Sequence, residues 1–326
     1  MNNLEGHSDL GDAILSKRLV IVTGKGGVGK STITAGLARL SSKAGLRTLV
    51  CEVDARGDVS AAFGIENVEF KPKAVAPNLY VMAMNTEDAL AEYLRLNLRI
   101  PIITKLGPLA KAFDFVANAA PGVKEILVMG KICYEVRERN YDIVFVDASA
   151  SGHIVSQLAS PAGISELFQI GLVKEQTAWM QEILSNPSTT ALILVVTPEE
   201  TPVVESLELI DRLANETSMN VIGAVINKVM AEPFSNSQGE IFRSIMTGDL
   251  HDDFLAIAGD SSDAFLATSS LATGLRESRS SHSREFISKL PVGIATIFIP
   301  YFMGAEDGIR LSREIAEALD GELSGS

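Results

Sequence analysis

Short apolar runs rich in β-branched residues punctuate the chain: Leu19 to Thr23, Thr48 to Val53, Leu79 to Met84, Asp142 to Asp147, Ala191 to Thr197, Val221 to Asn227 and Ile294 to Pro300. Their apolar positions are continuous rather than alternating, the pattern of strands buried on both faces. Between them lie segments of helical periodicity. In Ser31 to Ala44, for example, Ile33, Leu37 and Leu40 fall on one face. Strand and helix in alternation predict an α/β fold, a doubly wound, mostly parallel sheet with right-handed crossovers.

Two intervals are longer than one crossover helix requires. Residues 85–141 carry amphipathic stretches, first Leu90, Leu94 and Leu98, then Ile102, Leu106, Leu109, Phe113 and Val116. Residues 229–292 lack strand runs and include a Ser-rich piece from Ser261 to Phe286. Both are expected to add a helical layer at one end of the sheet. Residues 1–16 are polar and acidic and read as a loose, flexible tail. Residues 17–326 then form a single domain, since no repeat, heptad run or separating linker interrupts them.

Composition narrows the function. With 46% apolar residues the chain can bury a large core. A net charge of -13 argues against nucleic acid as the main partner, because phosphate binding at a groove needs a concentrated basic face. The two cysteines, Cys51 and Cys133, are too few for a disulfide framework and stand at no metal-ligand spacing. The apolar runs stop after about six residues, roughly a third of the ~20 that span a bilayer. A cytoplasmic protein without direct membrane insertion is expected.

The chemistry concentrates at Thr23 to Thr32, TGKGGVGKST. Gly24, Gly29, Lys30 and Ser31 complete the pattern G-x-x-x-x-G-K-[ST], after a buried strand and before a periodic helix. Glycines 24, 26, 27 and 29 let backbone N–H groups, that of Val28 included, turn toward phosphate oxygens. The helix N-terminus adds its positive dipole end. Lys30 supplies charge to the β and γ phosphates, Ser31 a hydroxyl to Mg²⁺, and Thr32 a contact to the α-phosphate. A bare glycine turn between strand and helix would lack Lys and Ser in register, so the loop is read as the ATP site.

The additional Lys25 makes KGGVGKST similar to the deviant Walker-A ATPases, which include partitioning and division-site ATPases, nitrogenase iron protein and the arsenite-pump/tail-anchor-targeting ATPases. That resemblance implies that Lys25 reaches across a dimer interface to the second subunit's phosphates. Further residues resemble the arsenite-pump/tail-anchor-targeting branch. In the first switch these are Asp54, Ser60, Ala62 and Phe63, and in the second Asp147, Gly152 and His153. The likeness continues through VVTPEETPVVESLELIDRL and GAVINKV.

It implies that Asp54 polarises the attacking water, that Asp147 holds Mg²⁺ directly or through water, and that Asn227, Pro300 and Tyr301 meet the adenine. Bland alternatives remain open at this stage: a helix N-cap for Asp54 and a turn residue for Asn227. The chain also departs from the branch. Ala55, Arg56 and Gly57 stand where Pro-Ala-His is usual, and Ser149, Ala150 and Ser151 where Ala-Pro-Thr is usual. The branch's metalloid-binding and zinc-bridging cysteines have no counterpart.

One ATPase unit implies a homodimer or a heterodimer with a paralogue. The expectation is a dimeric ATPase that couples nucleotide state to a protein client or membrane partner. The apolar faces between Leu90 and Val116 are either the candidate surface or simply core, since amphipathic helices usually bury their apolar side on their own sheet. A positioning ATPase of the partitioning kind and a small-molecule synthetase of the same fold stay as alternatives. The acidic C-terminal segment has the wrong charge for an anionic membrane. Iron-sulfur chemistry would need a Cys after Asp147, and none is there.

Overall fold

The computed structural model describes residues 5–53, 57–66, 68–98, 123–167, 172–304 and 307–324. Its sheet contains β1 (Leu19–Thr23), β2 (Thr48–Glu52), β3 (Lys73–Ala76), β4 (Leu79–Ala83), β5 (Ile143–Asp147), β6 (Thr190–Val196), β7 (Val221–Val229) and β8 (Ala295–Pro300). The order is β3-β4-β2-β5-β1-β6-β7-β8, and every pairing is parallel except β3 with β4. Each apolar run of the sequence is therefore a strand of a mostly parallel α/β sheet.

Alternate residues of β1 serve opposite faces. Leu19 and Ile21 join one core and Val20 and Val22 the other, all fully buried. On the first face lie α5 (Val123–Arg137), α6 (Ser151–Leu167), α7 (Leu172–Ser185) and α8 (Glu200–Glu216), which contribute Met129, Ile132, Val155, Met180 and Leu209. The second face is covered by α2 (Lys30–Lys43), the short α3 (Asp58–Phe63) and α12 (Gly308–Ser324), through Ile33, Leu37, Val59, Ile315 and Leu319. Helices on both faces explain why the strands read as continuous apolar runs.

Two elements depart from the sequence reading. Residues 5–15, expected within a loose tail, form helix α1 (Glu5–Leu15). Leu10 and Ile14 are buried in the second core, and Leu10 packs where Gly223 leaves room, since a Cβ there would stand 3.0 Å from Leu10 Cδ2. Only a folded sheet supplies that notch, so two apolar residues in an acidic segment gave no local signal. The edge strand β3 was also not foreseen. It is four residues long, begins with Lys73 and loses register between Ala74 and Ala76, features that blunt an exposed edge and erase the apolar signal.

The two long intervals behave differently. From the first, α4 (Thr86–Leu98) packs on α5, and α5 is a core element. Of its proposed client face, Leu90 is half-buried, and residues 99–122 lie outside the described residues. The second interval forms α9 (Asn236–Thr247), α10 (His251–Ala258) and the 28-residue α11 (Ser262–Lys289). Among the described residues no helix is long and apolar enough to cross a membrane. Both cysteines are buried thiols, and burial pushes that of Cys133 up to about 12.

Candidate nucleotide site

The loop between β1 and α2 lies at the carboxyl ends of the strands, near the centre of the sheet, where parallel α/β folds place ligand chemistry. Its first glycine is fixed by a close approach. Gly24 has φ +151°, and a Cβ on it would stand 2.1 Å from the carbonyl oxygen of Val195 on β6. Gly29, with φ +95°, precedes α2 as its N-cap. A Cβ there would meet Asn227 Nδ2 at 2.4 Å.

That amide is a brace for the loop. Asn227 Nδ2 donates to the Val28 carbonyl at 2.8 Å, and Asn227 Oδ1 accepts from the backbone N–H of Lys228 at 2.9 Å. Lys228 adds a second tie, its Nζ donating to the Gly27 carbonyl at 3.0 Å. Lys30 Nζ donates to the Lys25 carbonyl across the loop at 3.2 Å. The loop is thus held from β6 and β7 as well as from its own helix.

Beneath the loop, Ser31 Oγ donates to Asp147 Oδ2 at 2.6 Å. Asp147 ends β5 and is 7% exposed, and its Oδ1 is buried without a hydrogen-bond partner. Burial pushes its carboxyl up to about 7, against the opposing pull of Ser31 and the Lys30 charge. Parallel pairing of β2 with β5 sets Glu52 beside it in register. Burial raises the Glu52 carboxyl as well, opposed by backbone N–H groups of Val59 and Gly57, which donate to its Oε1 at 3.4 and 2.9 Å.

Around these groups opens a cavity of about 510 Å³. Gly26, Gly27, Gly29, Lys30, Ser31 and Thr32 form one wall, and Asp147 and Glu52 lie across from them. Asn227, Lys228, Pro300, Tyr301 and Phe302 close another side. The cavity is large enough for a drug-sized or nucleotide-sized ligand, and its charge is arranged with donors at the loop and carboxylates at the floor.

A family model described as anion-transporting ATPase matches residues 17–177 and 167–246. The chain belongs to the anion-transporting ATPase family. It is 31% identical over 222 residues to ATPase BagA of Mycobacterium tuberculosis, a match covering 65% of this chain and 65% of that protein. An ATPase ASNA1 homolog of Entamoeba dispar is 28% identical over 254 residues, covering 65% of this chain and 76% of that protein. A protein of Halobacterium salinarum described as an arsenical pump-driving ATPase is 27% identical over 246 residues, with 68% of this chain and 37% of that protein covered. The chain thus spans 65% of the length of BagA.

Within this ATPase-family site, Lys25 takes a position that spacing alone does not give. Its Nζ is 2.6 Å from Glu205 Oε1 on α8, in a pair whose side chains are 31% and 37% exposed. The side chain is turned off the loop and held within its own chain. Asp54 lies outside the described residues, as do Ala55 and Arg56.

Sequence reasoning passed over Glu52, Lys228 and Phe302. Lys228, directly after Asn227, had a usable signal: a cation at the end of a buried strand. Glu52 had none, since its pairing with Asp147 depends on β2 and β5 being neighbours, 95 residues apart in the chain.

Proposed function

We propose that this chain binds ATP with Mg²⁺ in the cavity between the β1–α2 loop and β5, and hydrolyses it. The observation that carries the reading is the Ser31–Asp147 contact, a hydroxyl and a buried carboxylate poised under a glycine loop that presents Lys30. The donor set fits Mg²⁺: two hard oxygen groups, one of them with an unsatisfied buried oxygen. When bound, the ion neutralises charge on the β and γ phosphate oxygens.

The rest of the chemistry falls to the protein. Backbone N–H groups from Gly26 to Gly29 cradle the phosphates, and Lys30 and the helix dipole stabilise the charge that develops on transfer. Thr32 contacts the α-phosphate. Asp54, two residues beyond β2, orients the attacking water. Phosphoryl transfer needs positioning and charge neutralisation more than a strong base, so an ordinary carboxylate suffices. Asn227 keeps one amide N–H and one lone pair for the adenine edge while bracing the loop. Pro300 and Tyr301 cover the base.

In this proposal the working unit is a homodimer or a heterodimer with a paralogue. Lys25 leaves Glu205 to meet the second subunit's phosphates, so nucleotide state is read by association and passed to a protein client. The test is ATP binding and hydrolysis by purified protein alongside Lys30→Ala and Asp54→Asn. Loss of binding in the first, and retained binding with lost turnover and a trapped dimer in the second, is the expected outcome. Equal hydrolysis by wild type and Asp54→Asn overturns the assignment of that residue.

A further inference from the structure

We infer that the hollow under the second half of α11 is a binding site for a phosphate-sized oxyanion, separate from the nucleotide cavity and independent of hydrolysis there. The hollow measures about 230 Å³ and shares no lining residue with the nucleotide cavity. That is below the roughly 300 Å³ at which drug-sized pockets begin, so the ligand is small.

The inward face of α11 is unusual for a helix packed on a sheet. Arg276, Ser280 and Ser283 share it at helical spacing and line the hollow, with the exposed Arg284 at its rim. Phe286 is buried in the core, but the apolar Phe265, Leu271 and Leu275 of the same helix are exposed. Opposite the arginines the wall is apolar, with Val229, Met230 and Phe298. Placing the part-buried Arg276 guanidinium against such a wall is unfavourable unless an acceptor joins it, because burial without a partner costs an N–H its water, whereas the exposed Arg284 adds positive charge at the rim.

Part of that demand is met within the chain. Arg276 pairs with Glu232, and Arg279 Nη2 with Glu199 Oε1 at 2.7 Å. The remainder is not. Arg276 Nε is buried with no acceptor. Among the described residues the side chains of Ser280, Ser283 and Arg284 make no hydrogen bond or ion pair, though all three reach the hollow. A guanidinium N–H can only donate, and so can the whole of Arg284. Unmet donors converging on one small space, with one guanidinium charge left unpaired, call for an anion with several acceptor oxygens. A cation is repelled there, and a neutral apolar ligand leaves Arg276 Nε unsatisfied.

The experiment is calorimetric titration of inorganic phosphate into the full chain saturated with ADP and Mg²⁺. One further phosphate per chain is expected. Arg284→Ser, at an exposed and unpaired position that leaves the fold intact, weakens it about tenfold, the size expected for one charge-assisted hydrogen bond. Arg276→Gln weakens it similarly, whereas Lys30→Ala, titrated without nucleotide because its loop no longer holds one, leaves it unchanged. A parallel titration with glycerol phosphate assigns the source. Tighter binding than inorganic phosphate marks the site as one for a phosphate ester, and weaker binding as one for the free ion; either supports the site. The proposal is overturned if no phosphate binds the ADP-loaded protein, or if binding survives in Arg284→Ser and Arg276→Gln. It is equally overturned if binding is lost only in Lys30→Ala, which would place the phosphate in the nucleotide loop.

Discussion

The β1–α2 loop and the α9–α11 insertion lie at opposite extremes of how a chain can be held. In the loop, Gly24 touches β6, Val28 is clasped by Asn227, Gly27 by Lys228 and Ser31 by Asp147. The insertion is nearly bare. Helix α10 buries no residue, α9 buries only Ile245, and the 28 residues of α11 bury Ser262, Ser283 and Phe286. Ile257 and Leu271 stand 87% and 65% exposed. In the proposed role the loop must keep donors in place against phosphate repulsion, and its many neighbours suit that role. The insertion is held by few such contacts: apart from Ile245 and Phe286 its large apolar side chains are mostly exposed, and Arg276 is turned toward the hollow.

The contrast is sharpest at Gly24. Gly24→Ala must relieve a contact with backbone, so a loss of more than about 3 kcal/mol is expected, with nucleotide binding abolished. Denaturant unfolding and equilibrium ATP binding measure the two effects. A variant that folds and binds as wild type would mean the loop is looser than its contacts imply.

Asp147→Asn should separate function from stability. Removal of the charge proposed to hold Mg²⁺ is expected to lower turnover by at least about 100-fold. The nucleotide-free protein should meanwhile gain stability near pH 8. The sign follows from the raised carboxyl: with a folded value of about 7, above that of an unfolded Asp, its contribution is present at low pH and lost as pH rises through about 7. Glu52, also raised, acts in the same direction. Unfolding midpoints at pH 5 and pH 8 should therefore converge between wild type and variant at the lower pH.

Glu205→Gln frees Lys25 from a half-exposed pair, which costs under about 1 kcal/mol of stability. ATP-dependent association, followed by light scattering, should strengthen several-fold, and Lys25→Ala should weaken it. Unchanged association in both variants removes the cross-subunit role of Lys25.

The smallest effect belongs to the insertion. Ile257→Ser and Leu271→Ser should each change stability by less than about 0.5 kcal/mol, because neither side chain leaves a core. A drop of more than about 2 kcal/mol would show that this face is covered in solution and that the contrast with the loop is one of partners rather than of packing.

Much of the candidate site is legible in the sequence. The strand order along the chain, the glycine loop, Lys30, Ser31 and the strand-terminal Asp147 all follow from local spacing. Apolar runs specify buried strands, and a loop of glycines before a helix specifies a turn of positive-φ backbone, the geometry of the proposed phosphate cradle. What only the tertiary structure decided lies between residues far apart in sequence. Sheet order sets Glu52 against Asp147, brings Asn227 over Val28 from 199 residues away, and carries Glu205 to Lys25 across 180. Crossover packing turns residues 5–15 from an acidic tail into a docked helix and points Arg276 into a hollow. Local pattern encodes the backbone's own hydrogen bonding and burial, whereas these contacts depend on which strands become neighbours.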